Sequence, residues 1–199
     1  MYKRLLSLLV VCVFFIAGAF AQTARQILDR TASALSGKGG VKANFVMSGK
    51  YGNASGSIAV KGNKFNAYTP ASIIWYDGKT QWTYMKKTQE VNVSNPSEAQ
   101  QQAMNPYKFI NIYKSGYSLS SKKSGRGWTV HLVAANKSRS IKEMYVTVNG
   151  SYQLEQVKMR QSSGWTTIKV SNFRKVSLSD SQFRFNSREY PSAEVIDLR

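Results

Sequence analysis

The chain carries one cysteine, Cys12, and one histidine, His131. A single thiol closes no intramolecular disulfide, so stability must come from a packed core. A lone histidine without further Cys or His ligands does not make a transition-metal site of the usual kind. Acids are scarce too: 10 Asp and Glu stand against 28 Lys and Arg, and none recurs at a spacing that suggests a catalytic carboxylate pair. Gly-x-Ser-x-Gly, Walker and dinucleotide motifs are missing. A Ser–His–Asp triad would need distant partners around His131, which alternates with Val130 and Leu132 onto the polar side of a strand. The sequence argues against an enzyme and calls for no cofactor and no metal. Linkers rich in Pro, Gly and Ser, low-complexity tracts and internal repeats are also lacking, so one domain is the natural reading.

One long apolar run is present. Lys3 and Arg4 precede Leu5–Ile16, and the small-residue stretch Ala17-Gly18-Ala19-Phe20-Ala21 comes after it. Positive, apolar and small-x-small segments in that order read as a secretory signal cleaved after Ala21. The run falls at or below the roughly 20 residues needed to span a bilayer. Position 22 is Gln rather than Cys, so the lipoprotein acceptor is lacking. Residues 1–21 are therefore expected to leave, taking Cys12 with them, and residues 22–199 to form a single domain in the periplasm. About 178 residues suffice for a sizeable core.

The net charge is +18, and losing Lys3 and Arg4 leaves +16. In an exported chain this charge points away from nucleic acid and toward anionic lipid head groups, lipopolysaccharide or an acidic protein surface. General solubility charge is the competing reading, because the basic residues are scattered.

Ala24, Ile27, Leu28, Ala32, Ala34 and Leu35 come close to a helical stripe, ended by Gly37, Gly39 and Gly40. From Val41 the period becomes two, with Val41, Ala43, Phe45 and Met47 on one face. Turns at Gly52-Asn53, Gly62-Asn63, Asp77-Gly78, Gly125, Asn149-Gly150 and Gly164 punctuate the rest of the chain. About eleven short strands result, interrupted at 97–113 by a helix former, Ser97–Met104, and an apolar segment after Pro106. The expected fold is β-dominated α+β: an unclosed antiparallel barrel with an N-terminal helix and a helical lid insertion. Its aromatic residues suit an apolar concave face that binds a lipid. Alternation pairs Phe45 with Met47 and Trp82 with Tyr84 on common faces. Phe45, Met47, Phe65, Trp75, Trp82 and Tyr84 are the expected lining, with Phe109, Ile110 and Tyr113 from the lid.

Four stretches resemble the periplasmic outer-membrane lipoprotein carrier family (LolA-like). They are Gly56–Asn66 with its closing Phe65-Asn66; Asp77-Gly78-Lys79-Thr80-Gln81-Trp82-Thr83-Tyr84, the most specific; Asn105–Ile110; and Phe183-Arg184-Phe185 followed by Glu194-Val195-Ile196-Asp197. Their order spans nearly all of residues 22–199. The resemblance implies an unclosed barrel with helices over its mouth and a cavity for acyl chains. It also implies acylated lipoproteins as cargo, an inner-membrane lipoprotein-release complex as donor, and an outer-membrane acceptor or anionic membrane surface as destination. A monomer is expected.

Carriers of this family place a lid-holding arginine just after the strand that here reads Ile58-Ala59-Val60-Lys61. This chain has Gly62 there, and Lys61 lacks the planar fork of arginine. Two other readings stay open: a carrier or sensor of another amphiphile, such as a glycolipid or fatty acid, and a structural domain whose sheet is filled by its own helices.

Overall fold

The computed structural model describes residues 22–50, 52–98, 100–101 and 111–199. The expected signal segment, Phe109, Ile110 and most of the expected lid lie outside these residues.

Helix α1 covers Ala24–Leu35. Thr23 caps it reciprocally: its hydroxyl accepts from the Gln26 N–H at 3.2 Å, and the Gln26 side chain accepts from the Thr23 N–H at 3.0 Å. The buried stripe is Ala24, Ile27, Leu28, Thr31, Ala32 and Leu35. Thr31 extends the apolar pattern because its hydroxyl turns back onto the Ile27 carbonyl at 2.9 Å.

Twelve strands come next: β1 Val41–Gly49, β2 Gly52–Lys61, β3 Lys64–Tyr68, β4 Ser72–Tyr76, β5 Gln81–Met85, β6 Glu90–Ser94, β7 Tyr117–Ser124, β8 Gly127–Ala134, β9 Glu143–Val148, β10 Leu154–Gln161, β11 Gly164–Lys175 and β12 Glu194–Asp197. They form one curved sheet in the order β12-β6-β5-β4-β3-β2-β1-β11-β10-β9-β8-β7. Its outermost strands are not paired with each other, so the barrel is unclosed. The strand count differs from the expected eleven by β12, which pairs with β6 in parallel. Parallel pairing needs a crossover, and residues 176–193 supply it by passing over one face of β2–β6 before reaching the β6 edge. Phe183 closes a 3₁₀ turn (Asp180–Phe183) within that crossover.

The helical lid expected at 97–113 is not borne out among the described residues. Near Ser97 a helical hydrogen bond runs from the Gln101 N–H to the Ser97 carbonyl at 2.9 Å. At the far end Ile112–Lys114 is a single 3₁₀ turn.

The main core lies between α1 and the inner sheet face. Val130, Leu132, Met144, Val146, Val148, Val157 and Met159 alternate inward from β8, β9 and β10, and α1 packs chiefly on β7 and β8. Val41, Val60, Phe65, Ala67 and Tyr76 continue the same core onto the other half of the sheet. A second, smaller core forms on the outer face, where Ala59 meets Leu178 and Phe183 of the crossover.

Candidate functional site

The strand register assigns each side chain to a face. Val41 pairs with Val60, Ala43 with Ile58, Phe45 with Gly56 and Met47 with Ala54. Val60 in turn opposes Phe65, and Phe65 opposes Tyr76. On the other flank Phe45 pairs with Val170 and Met47 with Ile168. The inner face thus carries Phe45, Met47, Ile58, Phe65, Ile74, Tyr76, Ile168 and Val170.

Burial along this face is graded. Val41, Val60, Phe65 and Tyr76 are buried in the same cluster as the α1 stripe. Ile58, Ile74 and Ile168 are half-buried and pack against that core. Phe45, Met47 and Val170 are half-buried and stand outside the packed cluster. Gly56 stands opposite Phe45 for a steric reason: a Cβ there would sit 1.8 Å from the Tyr68 carbonyl oxygen and 3.3 Å from the Phe45 ring. Chain and ring close on the same spot, which only a missing side chain permits. Toward the β6 edge the inner face becomes polar, with Gln81, Thr83, Asn92 and Ser94; the Gln81 amide donates to the Thr83 hydroxyl at 3.2 Å. The arrangement is an apolar trough with a packed part, a half-buried part around Phe45 and Met47, and a polar margin. Among the described residues no cluster of His, Cys, Asp and Glu could hold a metal.

Of the expected lining, Phe45, Met47 and Phe65 share this face. Tyr113 is buried in the core, and its hydroxyl donates to the Asp29 carboxylate of α1, so it is pinned to the helix. Trp75, Trp82 and Tyr84 are not in the trough. Trp75 opposes Asn66 and Trp82, and Tyr84 opposes Ile73, all on the outer face. There Trp75 meets Phe185 and Tyr190 edge-on at 5.6 Å, and Tyr84 lies 4.8 Å from Tyr190. The crossover supplies these partners, so β4 is apolar on both faces and the apolar side of β5 and β6 is the outer one. In Ile73-Ile74-Trp75-Tyr76 both faces are apolar, and the sequence offers no polar alternation to choose between them. Ile58, Ile74, Ile168 and Val170 were missed because their place depends on register with distant strands.

Comparison with known proteins decides the family. The family described as outer membrane lipoprotein carrier protein LolA matches residues 15–163. The chain belongs to that family. No curated protein matches it. An uncharacterized conserved protein from Thermus thermophilus has a similar solved structure, at TM-score 0.60 and 14% identity over 88% of this chain and 99% of that one. A LolA superfamily protein from Nitrosomonas europaea gives TM-score 0.46 and 12% identity over 83% of this chain and 99% of that one. Lipoprotein LppX from Mycobacterium tuberculosis gives TM-score 0.47 and 11% identity over 77% and 95%.

The LolA-like motifs have legible structural work. Asp77 closes its own hairpin by accepting from the Lys79 and Thr80 N–H groups at 3.0 and 2.9 Å. Its other oxygen receives Arg184 of the crossover at 3.2 Å. Gly78 has φ +103°, and the Asn63 amide would crowd a Cβ there at 3.0 Å. Lys61 lies on the outer face, opposite Val60. Its ammonium donates to the Leu178 carbonyl at 2.8 Å and to Asp180 at 3.0 Å. Lys64 reaches the other Asp180 oxygen at 2.7 Å. The cations beside Gly62 therefore tie the wall to the crossover, on the side away from the trough. Their hydrogen bonds hold the Asp180 carboxyl down at about 2.

Proposed function

We propose that this LolA family member is a periplasmic carrier that shields lipoprotein acyl chains and moves them from the inner toward the outer membrane. On this reading an inner-membrane release complex loads it and an outer-membrane acceptor or anionic surface unloads it. The observation that carries the proposal is the half-buried part of the trough, where Phe45, Met47 and Val170 extend the apolar inner face outside the packed core. A carrier must withdraw acyl chains from water, and each CH₂ so shielded contributes roughly 0.8 kcal/mol, about 12 kcal/mol for a sixteen-carbon chain before ordering costs. It must also let them go. Half-buried Phe and Met side chains hold a chain loosely, and the polar margin at Gln81, Thr83 and Asn92 suits the hydrophilic part of an amphiphile.

The test uses the chain from Gln22 and an environment-sensitive fatty-acid probe, displaced by a synthetic lipopeptide. Uptake and displacement are expected in the natural protein, with strong loss in Phe45→Ser combined with Ile168→Ser. Full uptake by that folded variant would place the lipid elsewhere. A probe displaced by free fatty acid but never by lipopeptide would reassign the cargo to another amphiphile. Native mass spectrometry of protein drawn from its own envelope identifies the cargo directly.

A further inference from the structure

The outer face carries a second feature, unconnected with the trough. A cavity of about 520 Å³ opens there across β11, β1, β2 and β3. Its outward side chains are Lys42, Asn44, Ser57, Asn66 and Arg174, with Ala59 as a small floor. No carboxylate lines it.

Two departures from regular sheet build this cavity. The register between β1 and β11 slips: Lys42 pairs with Arg174 and Asn44 with Ser171, so Ala43 alone opposes Asn172 and Phe173. Such a bulge bends the strand and re-aims its side chains. Asn172 accommodates it with φ +53°, a left-handed conformation that Asn tolerates better than most residues. The same register sets Lys42 and Arg174 directly opposite each other, and like charges so placed are mutually destabilising. Neither has a carboxylate partner among the described residues. By contrast, Lys61 and Lys64 on the same face share Asp180.

We propose that this cavity binds a phosphate ester of a sugar or polyol. Arg174 offers the planar fork that matches phosphate oxygens, and Lys42 the compact charge beside it. A bare phosphate would leave most of the volume unfilled. Asn44, Ser57 and Asn172 present amides and a hydroxyl, which serve sugar hydroxyls as donors and acceptors alike. The Asn66 side-chain amide gives one N–H to the Ile74 carbonyl at 3.1 Å, which leaves its second N–H and its oxygen for a ligand. The ester could belong to a lipid head group at a membrane surface or to a free metabolite; the chemistry is shared. This site is independent of the carrier reading, because none of its charged residues lies in the trough.

The test is titration with glycerol 3-phosphate by calorimetry and cosedimentation with phosphatidylglycerol vesicles, on the natural protein, Lys42→Gln and Arg174→Gln. The natural protein is expected to bind glycerol 3-phosphate, each substitution weakening it roughly tenfold or more. Parallel loss of vesicle binding assigns the ester to a membrane head group, whereas vesicle binding that is absent or unchanged assigns it to a free polyol phosphate. In phosphate-free buffer both variants should melt at or above the natural protein, since each relieves a like-charge pair, and the natural protein should gain more Tm from the ester than either variant. Equal binding by all three proteins, or no binding of glycerol 3-phosphate by the natural protein, overturns the proposal. Fatty-acid uptake unchanged in both variants keeps this result separate from the fate of the trough.

Discussion

The two halves of the sheet obey different rules. On β8, β9 and β10 each strand alternates between a buried aliphatic side, set against α1, and a wet outer side bearing residues such as His131, Tyr145, Lys158 and Arg160. On β4–β6 the apolar outer side lies under the crossover with Phe183, Phe185 and Tyr190, while the inner side passes from Ile74 and Tyr76 of the main core to polar Gln81, Thr83, Asn92 and Ser94. Period-two patterning reports a face only when the opposite face is in water. One half therefore announces its inner face in the sequence, and the other conceals it.

The largest effect should separate these halves by their reach. Val130 is fully buried on β8 beneath α1. Val130→Asp would bury an unpaired charge and cost about 4 kcal/mol or more, a large part of a typical domain's stability. Global loss of the cooperative unfolding transition is expected. Trp75→Ala also removes a buried ring, and such changes cost up to about 3–5 kcal/mol in a rigid core. Its partners Phe185 and Tyr190 belong to the crossover, so the damage should be local. Hydrogen exchange should show residues 180–193 losing protection while α1 keeps its own. Equal deprotection of α1 would mean that the two cores are one cooperative unit.

That asymmetry also sets how much could be read beforehand. The helix was legible to the residue, because its stripe is uninterrupted and the glycines after Leu35 end it. Most strand bounds were legible from their glycine and asparagine turns. The inner face was legible for Phe45, Met47 and Phe65, because their strands turn Lys42, Asn44, Lys64 and Asn66 to the other side and the packed cluster reaches their side. Trp75, Trp82 and Tyr84 look equally suitable in sequence, since an aromatic packed under a crossover has the same composition as one lining a trough. β12 left no signal of its own: its neighbour β6 lies about a hundred residues earlier, and only the path of the crossover brings them together. The phosphate-ester cavity was equally hidden, because Lys42 and Arg174 meet only through the β1–β11 register.

A smaller effect sharpens the assignment of faces. Trp82→Ser and Tyr84→Ser each remove a half-buried ring from the outer face, and a stability loss of about 1–2 kcal/mol is expected. Fatty-acid uptake should be unchanged in both, because neither ring reaches the trough. A Trp82→Ser protein that stays folded yet takes up no probe would show that the ligand lies under the crossover instead.

The smallest effect concerns the ionic tie between the wall and the crossover. Asp180 has a folded value of about 2, below its ordinary 3.8, chiefly through the Lys64 hydrogen bond and then that of Lys61. A depressed carboxyl stabilises the fold above its unfolded value, and the contribution disappears as pH falls through the folded one. The tie should therefore be at full strength above pH 3.8 and lost on the way down to about 2. The group is exposed, so the gain is small and screened by salt. Asp180→Asn should melt slightly below the natural protein at neutral pH, with the gap closing in that acid window and shrinking in high salt. The Lys61 bond to the Leu178 carbonyl does not titrate with the carboxyl and should keep part of the crossover seated throughout. Lys61→Ala, which removes both contacts, should loosen the crossover more than Asp180→Asn and still leave probe uptake intact, since Lys61 faces away from the trough. A melting gap that stays constant across the acid window would show that Asp180 acts through its shape rather than its charge.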